Sequence, residues 1–182
     1  MRNHGGGREK PADNRRRVNA ISERRHMDDM EGNGNGCGRP IMGGAAAGNM
    51  REPIRCGRWT YGAAAEVTEP DHGTKDMMLA VAKTPWQRFL GLMGQREIPQ
   101  GCGLVFDRCR SIHMFFMRIP LDIVWMRKAM APDTYVVTDV SEGVRPWRLA
   151  FAPDGTWATA CMEVAAGWAP AIGSVVHMGG IA

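Results

Sequence analysis

His113 and Asp122 lie in two neighbouring apolar runs, Ser111–Met117 (SIHMFFM) and Leu121–Met126 (LDIVWM). If the runs pair as a hairpin around Arg118-Ile119-Pro120, the imidazole and the carboxylate sit on adjacent strands. His113 could then donate a ring N–H to Asp122, which would fix its tautomer and raise its basicity. That is an acid/base or ligand-orienting pair. The same two groups could simply satisfy each other in the interior near a tight turn. The structural reading is favoured, because catalysis also needs a nucleophile or second acid in a defined place. Cys109 is the nearest nucleophile. It stands between Arg108 and Arg110, a basic setting that exposes a thiol and lowers its pKa. An enzyme using His113 with Asp122 or Cys109 is therefore the alternative to a non-catalytic role.

Cationic side chains gather around the same stretch. Arg110 and Arg118 flank it, and Arg148 follows Trp147. Guanidinium groups hold carboxylate or phosphate by paired hydrogen bonds, so a small anionic ligand near His113, Asp122, Trp147, Arg148 and Arg118 is one expectation. Pairing of each Arg with Asp107, Asp122 or Glu163 inside the fold is the other. Met114, Met117 and Met126 with His113 have the softness for Cu(I), but residues three apart on a strand face opposite ways, and core packing is favoured. Cys102 and Cys109 lack His at zinc spacing. Glu163 alternates with Met162 and Val164, to face solvent or meet an Arg, and no second carboxylate completes a glycosidase or nuclease pair. No metal and no cofactor is expected.

The elements that must position these groups begin near Lys75. Met77–Lys83 (MMLAVAK) has strand length. Thr84-Pro85 reads as a helix start, with Trp86, Phe89, Leu90 and Met93 forming one apolar face up to Gly94. Strands are predicted over Cys102–Phe106, Ser111–Met117, Leu121–Met126, Tyr135–Val140, Trp157–Val164 and Ser174–Met178, with a turn at 152–156 and a short helical turn within 165–172. The fold class is thus mainly β, a small compact barrel-like domain with one or two short helices.

Residues 1–76 read as a disordered, Gly-rich, charge-mixed leader to a domain spanning 77–182. They hold 13 of the 23 glycines, a composition that buries too little apolar surface to offset ordering. Trp59 and Tyr61 read there as isolated aromatics in a solvated linker. Several Met residues offer alternative starts, so part of the leader could be a misassigned start. The basic arm around Arg15-Arg16-Arg17 could touch nucleic acid, but it has no aromatic to stack on a base, and nucleic-acid binding is not favoured. The net charge of +4 is shared evenly between the two parts. No run of 18–20 apolar residues is present to span a membrane, and no secretory signal core precedes Ile54. The expected compartment is the cytoplasm, where the five cysteines would stay thiols.

The run Arg110–Trp125 (RSIHMFFMRIPLDIVW) resembles the central motif of a widespread prokaryotic domain-of-unknown-function family, the one numbered 192. Ala82–Gly94, Gly101–Phe106, Pro146-Trp147-Arg148 and Cys161–Gly167 resemble its other elements in order, so the resemblance covers about residues 77–178. Met114 stands where the family commonly has Thr, Phe116 where it has Gly, Gln95 where it has Arg or Lys, and Ala165 where it has Pro. The Phe116 ring would narrow a cleft that Gly leaves open. The resemblance implies a compact mainly-β fold and no particular reaction. A protein of unknown function, best read as a non-catalytic binding or accessory domain with unknown partners, is the resulting expectation.

Overall fold

The computed structural model of the chain describes residues 52–179. The basic arm, the Gly-rich segments and Cys37 lie outside the described residues. Eleven strands and one helix occur among those described. They are β1 (Ile54–Cys56), β2 (Trp59–Tyr61), β3 (Ala63–Glu69), β4 (Gly73–Val81), α1 (Pro85–Leu90), β5 (Cys102–Asp107), β6 (Ser111–His113), β7 (Leu121–Lys128), β8 (Thr134–Val144), β9 (Leu149–Phe151), β10 (Ala160–Ala165) and β11 (Val175–Met178).

Seven strands close a barrel in the order β10-β5-β4-β3-β11-β8-β7. Every pairing is antiparallel except β4 with β5. A parallel pair cannot be joined by a tight turn and needs a crossover. The crossover here is residues 82–101, and it carries α1. The mainly-β, barrel-like expectation holds, with one short helix.

The strands carry apolar residues on both faces, and each face has a separate destination. Val67, Leu79, Val105, Val124, Val137, Met162 and Val176 fill the barrel interior, one from each strand. Their neighbours of opposite parity, among them Met78, Leu104, Phe106, Ile123, Trp125 and Cys161, face outward on β4, β5, β7 and β10. That outer face is covered by β1 and β2, by the small β6-β9 sheet, and by Leu92, Ile98, Met114 and Met117. A strand buried on both faces reads as a continuous apolar run, which is the pattern of β5, β7 and β10. At Gly103 inside the barrel an added Cβ would lie 2.7 Å from Met162 Sδ, so close passage of the two strands requires glycine there.

Several boundaries differ from expectation. The domain does not begin near residue 77. β1, β2 and β3 precede it, and β3 is a barrel strand between β4 and β11. Trp59 and Tyr61 are core residues, 6% and 1% exposed. Their alternation with exposed Thr60 spans only three residues, too short for periodicity to register. The helix ends at Leu90 rather than Gly94 and buries none of its residues. The run 111–117 is extended only to His113, because Phe116 adopts φ +58° and turns the chain. Trp157 likewise has φ +53° and is 77% exposed, so β10 starts at Ala160. Cys56 is disulfide-bonded, which corrects the expectation of five thiols; Cys102, Cys109 and Cys161 are free. Among the described residues, no helix is long and apolar enough to cross a membrane.

Candidate functional site

The β6-β9 sheet decides what His113 meets. β6 pairs with β9, Ile112 opposite Ala150 and His113 opposite Leu149, while β7 pairs with β8 and β10. The hairpin that would join His113 to Asp122 is therefore absent. Asp122 lies on the β7 face that carries Val124, opposite Val164. Its carboxylate is 2% exposed and accepts 2.7 Å hydrogen bonds from the Gly143 and Gly167 N–H groups. Asp122 thus ties the end of β8 to the loop after β10 at one end of the barrel and borders a shallow depression there with Glu142 and Gly143. His113 lies on the other side of the sheet, in the outer layer.

There His113 borders a pocket of about 120 Å³ with Arg88, Gly91, Phe106, Cys109, Ser111 and Glu163. Each wall follows from local structure. Thr84 caps α1, its hydroxyl accepting from Gln87 N (3.1 Å) while Gln87 Oε1 accepts from Thr84 N (3.0 Å). This reciprocal cap fixes a helix too short to be stable alone. Arg88 projects from it across Phe106, and its guanidinium donates to the Asp107 carbonyl at 2.8 Å. Gly91 ends the helix at φ +42°, ψ −132°, a conformation only glycine adopts readily. Trp59 Nε1 holds the Gly91 carbonyl at 2.9 Å. A Cβ at Gly91 would stand 3.7 Å from a Glu163 carboxylate oxygen, so its missing side chain opens the space above that carboxyl.

Glu163 forms the floor on the outward face of β10, and Cys161 lies behind it on the same face. Glu163 is 3% exposed and its Oε2 has no hydrogen-bond partner. Burial pushes its carboxyl up to about 8, and the charge of the Cys109 thiolate adds to the effect. At neutral pH it is mainly a carboxylic acid with an O–H to donate. Cys109 approaches just past the end of β5, where its N–H donates to the Thr159 carbonyl at 3.1 Å. Its thiol shares a hydrogen bond with that of Cys161, which lowers Cys109 to about 6 against the opposing effect of burial, with Arg88 also favouring the thiolate. The same bond and burial drive Cys161 upward. As a thiol, Cys109 instead donates to the Ser111 carbonyl at 3.2 Å.

His113 Nδ1 is buried and also lacks a partner. The ring is held by apolar stacking, between Phe89 (centroids 5.9 Å) and Phe115 (5.4 Å). Phe115 continues to Trp147 at 6.2 Å, and Phe116 packs edge-on against Trp147 at 4.8 Å. Phe116 does not border the pocket, so the narrowing expected of it does not arise. Its positive φ accounts for the site's suitability for glycine.

Of the expected ligand-binding residues, only His113 borders this pocket, and Cys109, the nucleophile of the alternative reading, borders it too. Trp147 joins its rim through Phe115. Arg148 and Arg118 are exposed and make no ion pair among the described residues. Cys109 is buried rather than exposed, because the chain folds it under α1. Glu163 neither faces solvent nor meets an Arg. Arg88, Cys161 and Glu163 were not read as site residues. A Glu inside the apolar run Ala160–Ala165 was the available signal, since a strand buried on both faces leaves a carboxylate no route to water. Among the described residues, no group of three His, Cys, Asp or Glu side chains is placed to hold a metal ion.

Comparison with known proteins agrees with this architecture. Residues 66–177 match the DUF192 family, described as an uncharacterised ACR. The chain belongs to the DUF192 family. This domain resembles a solved protein of unknown function from Novosphingobium aromaticivorans DSM 12444, with a TM-score of 0.55 and 20% identity over 74% of this chain and 99% of that one. It also resembles a protein from Sinorhizobium meliloti 1021 described as a candidate transcription regulator, with a TM-score of 0.54 and 22% identity over 64% of this chain and 92% of that one. At these identities the two structures share the fold of this domain and no more. No curated protein matches the sequence.

Proposed function

We propose that this DUF192 protein is a non-catalytic binding module whose pocket beneath α1 takes a small ligand bearing a carboxylate or similar oxyanion. The observation that carries this reading is the pair of buried, unpartnered atoms, His113 Nδ1 and Glu163 Oε2, on one pocket beside the Arg88 guanidinium. Native interiors leave few polar groups without a partner, and such groups commonly belong to a bound ligand or water. A protonated Glu163 donates to an oxygen acceptor, His113 offers a second ring N–H in the matching tautomer, and Arg88 supplies positive potential. The volume, about 120 Å³, suits a fragment of a few heavy atoms, with the Trp147 rim and the more distant Arg148 and Arg118 available to a longer ligand. Asp122 serves the fold in this reading.

Acetate is a suitable probe. Titration followed by NMR of the His113 ring should give a saturable shift. It should also slow alkylation of Cys109, because an anion beside the sulfur disfavours its thiolate. Glu163→Ala should abolish the ring response. A ring unmoved by acetate, or moved equally in the variant, would overturn the proposal.

A further inference from the structure

Cys109 and Cys161 are the part of this pocket that ligand binding does not use. Cys109 lies in the loop just past β5 and Cys161 on β10, far apart in sequence, yet their thiols interact behind the pocket. The approach is enforced by backbone. β5 and β10 pair from Val164↔Gly103 to Ala160↔Asp107, and the Cys109 N–H then bonds to Thr159, two residues before Cys161 on β10. Both cysteines are free. Cys109 borders the pocket and Cys161 lies behind it, fully buried. Glu163 stands two residues along the same strand face, its Oε2 without a partner. Cys102 is the contrasting case. It faces the same outer layer four residues from Phe106 on β5, roughly 13 Å along the strand, while Cys161 lies opposite Phe106 itself.

We propose that Cys109 and Cys161 form a dithiol–disulfide exchange site, with Cys109 attacking, Cys161 resolving and Glu163 taking the Cys161 proton. The oxidant is a small organic disulfide. The Cys109 thiolate attacks one sulfur of that disulfide, forming a mixed disulfide and releasing the other half as a thiolate, which is protonated by water. Once Cys109 carries the mixed disulfide, its charge no longer opposes ionisation of Glu163, and the ionised fraction of Glu163, which grows as pH approaches 8, removes the proton of the Cys161 thiol. The Cys161 sulfur attacks Cys109, forming the intramolecular disulfide and expelling the second half as a thiolate. The dithiol loses two electrons and two protons, and the oxidant is reduced to two thiols. The division of labour follows from position. Attack requires a thiolate within reach of an incoming molecule, and only Cys109 borders the pocket. The resolving sulfur has no route to solvent for its proton, and Glu163 on the same face supplies the acceptor. Arg88 favours charge on Cys109, and Tyr61, with its own ionisation suppressed by burial, leaves Glu163 as the proton acceptor at this spot.

The test uses the reduced full chain and bis(2-hydroxyethyl) disulfide as probe. Samples are quenched over time with acid and alkylating agent, and linkages are mapped by peptide mass spectrometry. The expected course is a transient adduct on Cys109 followed by a Cys109–Cys161 linkage lacking two hydrogen atoms, reversed by dithiothreitol. Cys161→Ser should trap the Cys109 adduct, Cys109→Ser should leave Cys161 unmodified, and Glu163→Gln should prolong the adduct several-fold. Mapping of the wild-type chain depends on no variant folding. A wild-type adduct that never resolves, a link from Cys109 to Cys102, or a Cys109–Cys161 link seen only in denaturant would sink the proposal. Acetate binding without the linkage, or the linkage without acetate binding, would separate this inference from the ligand reading.

Discussion

Glu163 and Cys109 titrate in overlapping ranges with opposite effects on stability. The Glu163 carboxyl is held near 8 in the fold by burial and the neighbouring thiolate, above its ordinary 4.5. A raised carboxyl contributes stability that is complete below the unfolded value and disappears as pH climbs to the folded one. Cys109, held near 6 against an ordinary 9, contributes above 9 and loses that contribution as pH falls to 6. Of the two, only Glu163 acts between pH 4.5 and 6, so raising pH through that window should lower the wild-type melting temperature, and Glu163→Gln should flatten the slope. Over the whole range the Glu163 effect is on the order of a few kcal/mol. A wild-type melt that is level from pH 4.5 to 6 would contradict the buried, protonated carboxyl. At this scale the sequence led to His113 through its motif and missed Glu163. A lone Glu between Met162 and Val164 is compatible with an exposed strand face. Its burial comes from α1 and β6 crossing over β10, contacts whose partners are roughly 50 to 75 residues away.

The crossover between β4 and β5 is the element that makes the site. Thr84-Pro85 announced the start of α1, and capping chemistry is local enough to be read from four residues. Its end was not legible, because Gly91 and Gly94 are both plausible stops and both take positive φ. The choice rests on Trp59 holding the Gly91 carbonyl, a tertiary contact from a segment that reads as linker. The apolar face expected of α1 is not buried. Trp86 and Phe89 stack on each other at 5.7 Å, and Phe89 on His113, so the face forms the pocket's aromatic rim. Gly91→Ala should therefore act twice. The disfavoured backbone conformation should cost about 1–3 kcal/mol, read as a shift in denaturant midpoint. The added methyl, 3.5 Å from Phe106 Cζ and 3.7 Å from Glu163 Oε2, should weaken the acetate response of His113. A variant as stable as wild type would show that Gly91 does not need its unusual φ and ψ.

The barrel as a whole was legible from β4 onward. Short apolar runs at regular spacing pointed to a closed mainly-β fold, and continuous runs in β5, β7 and β10 reflect burial on two faces. What the runs could not show is that closure needs β3. Ala63–Glu69 (AAAEVTE) holds three Ala and two Glu with a single larger apolar residue, Val67, and only Ala65 and Val67 are fully inward, so its apolar signal is slight. Its backbone nevertheless pairs with β4 over seven residues and with β11 over four. A chain beginning at Met77 lacks β3 and the first half of β4. It would leave β11 and the rest of β4 as open edges and expose the barrel interior beside Val176 and Leu79. Unpaired edges of this kind promote association, so that chain should aggregate or lack a cooperative melt. A chain beginning at Glu52 keeps every strand of the barrel and should melt cooperatively with a β-type circular dichroism spectrum. Cooperative folding of the shorter chain would mean that β3 decorates the barrel, and the domain boundary would return to residue 77.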